Sequence, residues 1–450
     1  MTLRTPASDS ASDRQEVATL HRPAQGLLGA FVLYLGGLAV ADLLGAPHWV
    51  AILIVLGASA LVWRSCAPHA SRGRWLLGAR AQWACFVAAL CLMAWTIAPA
   101  LLHSSVQDDQ APSIRCAAQA LWHGADPWLE GEPECMASIA FSAPDLTPLR
   151  VGPFAERGYP TREAITTVEH RDISTGSSEG FPRYGYPPLA ALWMLPVAYA
   201  GWQLTTWYIL AVLVVLLALV WWRPTPNRML LAIPQMLGLA MFVAAFNGDS
   251  EVLAYASLIV AFAWLDRPRA SAIWMGVALL SNPLAWIVVP GWLTLILRTP
   301  NWRVRLGWLV GSTMAGLAPW LVWDHSLLVQ LWHFVTLPEF PLGIALGALT
   351  HYPYPPSWPF FALFAAAVAG LAGLAWWQPK WRWACAAAVW GAFALSWRGN
   401  AFYFLPLFWL SPAILIGWWH VEHTVAAPVS VASGVSIVSL SSPRTDAPEV

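Results

Sequence analysis

Residues 203–222 read QLTTWYILAVLVVLLALVWW, twenty positions without a charge that end directly before Arg223. An α-helix rises about 1.5 Å per residue, so this stretch is about 30 Å long, the thickness of a bilayer's hydrocarbon core. The rest of the chain has the same character: over 450 residues it is 58% hydrophobic and 11% charged, with a mean hydropathy of +0.55. A water-soluble domain of this size has no interior large enough to hide that much apolar surface, so the composition calls for lipid as solvent. Outward from 203–222, further apolar runs lie near 25–44, 48–63, 82–102, 229–246, 250–265, 269–281, 283–297, 305–323, 357–377, 382–397 and 400–419. The expected fold is all-α and integral to a membrane, with about twelve transmembrane helices. At Ser281-Asn282-Pro283 two runs meet, and they read either as separate spans or as one long kinked helix.

Net charge is zero, yet the charges alternate along the chain. With the N-terminus inside, the inner loops collect 17 of the 24 basic residues, among them Arg64, Arg80, Arg223, Arg267, Arg298, Arg305, Lys380 and Arg382. That bias orients the protein, because cytoplasmic loops retain Lys and Arg during insertion. Both termini are then cytoplasmic, and the large loop 103–202 is extracytoplasmic. Residues 1–24 and 425–450, polar and rich in Ser and Pro, read as disordered tails flanking a membrane domain over 25–424. Residues 1–22 lack the order of a cleaved signal peptide. Within the loop, Ala117–Leu121 reads as helical, and 181–199 reads as a helix lying at the interface or dipping into it. The 31 Trp residues suit interfacial anchoring. Abundant Ala and Trp with few Lys point to a GC-rich bacterial genome, so the inner membrane of a cell envelope is the expected location.

Polar residues placed at the ends of spans are the candidates for chemistry. Asp108-Asp109 follows the outer end of the third span. A partly desolvated carboxylate there can act as a general base toward a hydroxyl, or the pair simply solvates a helix end. In Asn247-Gly248-Asp249-Ser250-Glu251, Asp249 or Ser250 suits a helix N-cap, and the same break can hold a ligand hydroxyl. Tyr184-Gly185-Tyr186-Pro187-Pro188 and His351-Tyr352-Pro353-Tyr354-Pro355-Pro356 combine rigidity with flat aromatic faces, suited to sugar contact or to interface anchoring. Arg183 and Arg398, with His351, are outer cations placed to meet a phosphate. Cys116 and Cys135 fall in the outer loop and can pair in an oxidising compartment. The sequence carries no phosphate loop, no His-Glu-x-x-His and no dinucleotide turn, which disfavours ATP-driven transport.

Three stretches in this order resemble a known family: Asp108-Asp109, then CAAQALWHGADPW (116–128), then YGYPPLAALWMLP (184–196), continuing through NGDSEVLAYASLIVAFAWLDRPRASAIWMGVALL (247–280). The pattern resembles the polytopic C-type glycosyltransferases (GT-C) that use polyprenyl-phosphate sugars, in particular the bacterial α-mannosyltransferase branch. Ser281-Asn282-Pro283 departs from it, since the family often carries a Lys before the Pro. The resemblance implies inverting transfer of a hexosyl, in that branch mannosyl, residue to a lipid or envelope-glycan acceptor, with no metal, nucleotide or other cofactor. Asp108 or Asp109 would be the catalytic base. Arg183, Tyr186, Asn247, Asp249, Asn282, His351, Tyr352 and Arg398 are the candidate substrate-binding residues. Partners are the sugar donor, the acceptor and the membrane, with no nucleic acid. A lipid or solute transporter and a non-catalytic envelope-assembly protein remain the alternatives; the first calls for ionisable groups buried within spans.

Overall fold

A computed structural model describes residues 10–67, 79–102, 110–128, 135, 184–225, 228–245, 249–324, 327–329, 331, 357–396 and 404–426. The described residues form helices and no strands. In chain order they are α1 (Ser10–Leu43), α2 (His48–Ser65), α3 (Ala79–Leu102), α4 (Gln110–Trp122), α5 (Pro188–Met194), α6 (Trp202–Trp221), α7 (Arg228–Ala245), α8 (Glu251–Ala263) and α9 (Pro268–Ser281). There follow α10 (Val289–Ile296), α11 (Trp302–Trp323), α12 (Ser357–Trp377), α13 (Arg382–Ala388) and α14 (Leu405–Ala426). Short 3₁₀ segments at Pro283–Val288 and Val389–Leu395 extend α10 and α13.

Among the described residues, five helices are long and apolar enough to cross a bilayer: Pro23–Leu43 of α1, Arg80–Pro99 of α3, Trp202–Trp221, Trp302–Trp323 and Pro359–Trp377 of α12. These same helices turn large apolar side chains outward, including Val32, Leu92, Val214, Val310 and Phe361. Such a girdle is unfavourable in water and satisfied in lipid. The shorter helices fill the interior. All thirteen residues of α8 are buried, and α6, α7, α9 and α14 pack around it. A helix enclosed by protein has no need to match the bilayer's thickness, so thirteen residues suffice.

Side-chain bonds show how the helices alternate. At one end of the bundle, Arg223 beyond α6 forks onto Asp266 beyond α8, both bonds 2.6 Å. At the same end Thr225 meets His420 of α14, Arg382 at the start of α13 pairs with Glu422, and Trp63 of α2 stacks on Trp381 at 4.6 Å. Arg298, just past α10, donates to the carbonyl of Trp376 near the end of α12. At the opposite end Gln203 of α6 donates to Leu101 O of α3, and Trp193 of α5 donates to Ser281 at the end of α9. The described residues that border the loops expected to be rich in Arg and Lys therefore gather at one end, and α4 and α5 lie at the other.

Several expectations need correction. Residues 10–24, read as a loose tail, belong to α1: the stretch contains only one helix breaker, Pro23, so the helix runs on beyond the apolar segment. Residues 283–297 do not prolong α9 as a kinked helix. The Trp286 indole donates to Leu279 O and the Trp292 indole to Ser271 Oγ, so as one number rises the other falls, and the chain reverses at Asn282-Pro283. The Trp residues are not all anchors either. Trp128, Trp292, Trp390 and Trp409 are fully buried, large rings filling interhelical space, and the Trp128 and Trp292 indoles also close bonds to Tyr186 O and Ser271 Oγ.

Close approach of α14 to α8 depends on Gly417, where a Cβ would stand 2.1 Å from Phe262 O. A Cβ on Gly370 of α12 meets nothing within 4 Å. Gly417→Ala is expected to destabilise the bundle by about 1–3 kcal/mol, the usual cost of overpacking, while Gly370→Ala leaves it unchanged. Thermal unfolding of the detergent-solubilised protein checks this, and equal melting points for the two variants would refute the assigned packing.

Candidate functional site

The end of the bundle that holds α4 and α5 is built from two of the motifs quoted above, 116–128 and 184–196. α4 stops where Gly124 adopts φ +74°, a left-handed conformation that costs glycine little. Gly124 N–H then returns to Leu121 O and Ala125 N–H to Ala120 O, a Schellman cap that turns the chain sharply. Asp126 Oδ1 next accepts the N–H of Trp128 at 3.0 Å, tightening the turn. Gly124, Ala125 and Asp126 thus shape the turn that leads to the inward-facing Trp128 ring.

Trp128 is wholly buried, and its indole N–H donates to Tyr186 O at 3.1 Å. Its ring lies 5.6 Å from Tyr184 and 5.6 Å from Trp320 of α11. Tyr184 continues to Tyr186 at 5.7 Å, and Trp320 to Trp323 at 5.6 Å. Five rings in succession therefore run from half-buried Tyr186 to exposed Trp323, with Trp128 at the centre. Burial pushes the Tyr184 hydroxyl well above its ordinary pKa, against a smaller opposing effect from the Ala191 backbone N–H. It stays a neutral donor, directed at Pro187 O.

α4 is fastened from three sides. Cys116 and Cys135 form a disulfide with their Cα atoms 5.7 Å apart. Arg115 Nε and Gln119 Nε2 both donate to Ala198 O, at 3.0 and 2.6 Å, and the Arg115 guanidinium lies 4.4 Å over the Trp202 ring. Burial lowers the Arg115 pKa, but a guanidinium remains charged at any physiological pH. His123 pairs with the Tyr199 hydroxyl.

Of the residues read as candidates, Tyr186, Asp249 and Asn282 lie among those described, and all three fall at this end of the bundle. Asn282 Oδ1 accepts the N–H of Leu284, so its side chain caps the turn between α9 and the following 3₁₀ segment. Asp249 Oδ1 likewise accepts the N–H of Glu251 and caps α8. Tyr186 contributes its carbonyl to Trp128 and its ring to the aromatic series. Asp108, Asp109, Arg183, Asn247, His351, Tyr352 and Arg398 lie outside the described residues. Reasoning from the sequence named Glu251 only as part of the 247–251 break and gave it no role of its own; it is 3% exposed and accepts the Tyr255 hydroxyl, itself packed against Phe242, Trp390 and Trp409. A carboxylate opening an otherwise apolar helix was the available signal. Sequence reasoning missed Trp320, which reads as one more apolar residue of a span.

Compared with known protein families, curated proteins and solved structures, the chain matches none.

The disulfide closes the loop that carries Gly124 to Trp128. Cys116→Ser is expected to lower stability by about 2–4 kcal/mol, and reductant is expected to do the same to the unmutated protein but not to the variant. Melting curves with and without reductant decide it; an unmutated protein indifferent to reductant, with the bond shown broken, would count against this fastening.

Proposed function

We propose that the chain is a membrane glycosyltransferase of the GT-C kind, with about twelve crossings, that transfers a hexosyl residue from a polyprenyl-phosphate sugar to a lipid or glycan acceptor outside the cytoplasm. One observation carries the reading. The stretches 116–128 and 184–196, on which the resemblance rests, are joined by the Trp128 indole and Tyr186 carbonyl. The second stretch then reaches Ser281, beside Asn282, through Trp193. Sequence-distant motifs thus converge on one end of the bundle, as parts of a single site would.

A disulfide at that end favours an oxidising compartment, and the Arg-rich opposite end favours the cytoplasm. In the proposed reaction Asp108 or Asp109 takes the proton of an acceptor hydroxyl, whose oxygen attacks the anomeric carbon as the bond to polyprenyl phosphate breaks, inverting that centre. The leaving group is already a stable phosphate, so a single base suffices. Asp109 directly precedes α4 in sequence, and α4 is pinned by the disulfide and by Ala198, which gives the base a rigid neighbour. Arg183, Arg398 and His351 suit the departing phosphate, and the Tyr186 and Tyr352 rings suit a sugar face. Asp249 and Asn282 act first as caps that hold their helix ends in place.

A transporter is the second reading, favoured by one feature: Asp249 and Glu251 are both buried at the head of the enclosed helix α8. Transfer of labelled mannose from polyprenyl-phosphate mannose to lipid acceptors, in membranes carrying the protein, separates the two. Asp108→Asn or Asp109→Asn is expected to lower transfer about 10²–10⁴-fold at normal insertion levels, with the other variant close to unmutated. Full transfer in both variants would remove the carboxylate mechanism. No transfer from any polyprenyl-phosphate hexose, together with solute uptake abolished by Glu251→Gln, would favour transport.

A further inference from the structure

At the Arg-rich end, α9 and α11 begin side by side. Ser312 stands where a Cβ on Gly276 would lie and Leu280 where one on Gly316 would, so the two helices run parallel with their N-termini together. The Arg269 guanidinium stands 5.8 Å over the Trp308 ring, which confirms the neighbourhood. The N-terminal ends of helices carry partial positive charge and unpaired N–H groups, and favour acids in the first turn. Neither helix has one. Arg267 and Pro268-Arg269 open α9, and Arg303 and Arg305 open α11.

Arg305 is the decisive residue. It is 4% exposed, and its Nε and Nη1 make no hydrogen bond. The carboxylate whose charge it feels is Asp266, but both oxygens of Asp266 already accept from Arg223. Two guanidinium groups therefore share one carboxylate, and two helix N-termini add to the excess. A buried cation with idle donors is costly unless an anion completes it.

We propose that this pocket of charge binds a phosphate-bearing anion, with the Arg305 fork as its principal contact and exposed Arg269 and Arg303 at its rim. A forked guanidinium matches phosphate oxygens, and helix N-termini are common phosphate sites. The phosphate can come from an acidic lipid of the adjoining leaflet, since α11 is one of the lipid-facing helices, or from solution. The site shares no residue with the proposed sugar site and stands or falls separately.

The test uses the full chain purified in a neutral detergent. Its melting point is followed with added phosphatidylglycerol against phosphatidylcholine, and with inorganic phosphate against chloride at matched ionic strength. Phosphatidylglycerol or phosphate is expected to raise the melting point saturably, by about 3–5 °C at a hundredfold excess over Kd. A response to the lipid alone assigns the leaflet as source, and a response to inorganic phosphate assigns a soluble anion. Arg305→Met is expected to lose the response while melting no lower than the unmutated protein when no anion is present. Arg305→Lys, which keeps the charge without the fork, is expected to need about tenfold more anion. The proposal is overturned if neither anion exceeds its control, if either variant responds as the unmutated protein does, or if Arg305→Met is destabilised without anion.

Discussion

Lipid offers a peptide group no hydrogen bond, and the architecture of this chain follows from that constraint. Every described crossing is helical, and many of the hydroxyls within the helices obey the same rule. Ser59, Ser65, Thr96, Thr206, Ser257, Ser281 and Ser411 each return their hydroxyl to the carbonyl four residues earlier. A hydroxyl satisfied in its own helix can face lipid or core without penalty. The Trp indoles do the complementary work between segments: Trp264 reaches Leu219 O, Trp292 reaches Ser271 and Trp193 reaches Ser281. Because a single N–H on a large apolar ring both fills space and closes a bond, Trp serves here as an interhelical clasp.

The same constraint divides the helices by role. α1, α3, α6, α11 and α12 present apolar side chains outward and are long; α8 is enclosed and short. Enclosure by protein goes with two buried carboxylates at the head of α8, Asp249 and Glu251, each with a bonded oxygen. The bundle therefore has two chemically different ends. One is cationic, with Arg223, Arg298, Arg305 and Arg382, and the other is aromatic and cross-linked by a disulfide.

Much of this was legible in the sequence. Runs such as 203–222 declare themselves by length and by the charge that ends them, and the alternation of Arg-rich loops anticipated which helix ends meet. What was hidden depended on packing. Nothing in the composition of 251–263 separates an enclosed helix from a lipid-facing one, since both are apolar, and burial alone tells them apart. The reversal at Asn282-Pro283 rests on a side-chain cap and two indole bonds, and the kinked alternative has the same local sequence. Residues 10–24 looked loose because they are polar, yet polarity is compatible with a helix that continues from a span. At the candidate site, Tyr186, Asp249 and Asn282 were named from their chemistry. The structure gives the last two a capping duty and adds Trp128, Trp320 and Glu251, whose importance comes from what surrounds them.

Extracytoplasmic transfer requires that the end bearing α4 and its disulfide face away from the cytoplasm. Single cysteines placed at His123 and at Pro300, in a background lacking the free Cys66, Cys85, Cys91 and Cys385, mark the two exposed ends. A membrane-impermeant maleimide applied to intact cells is expected to label His123→Cys and to spare Pro300→Cys until the membrane is permeabilised. Labelling of Pro300→Cys alone in intact cells would contradict the orientation, and with it a site for extracytoplasmic transfer.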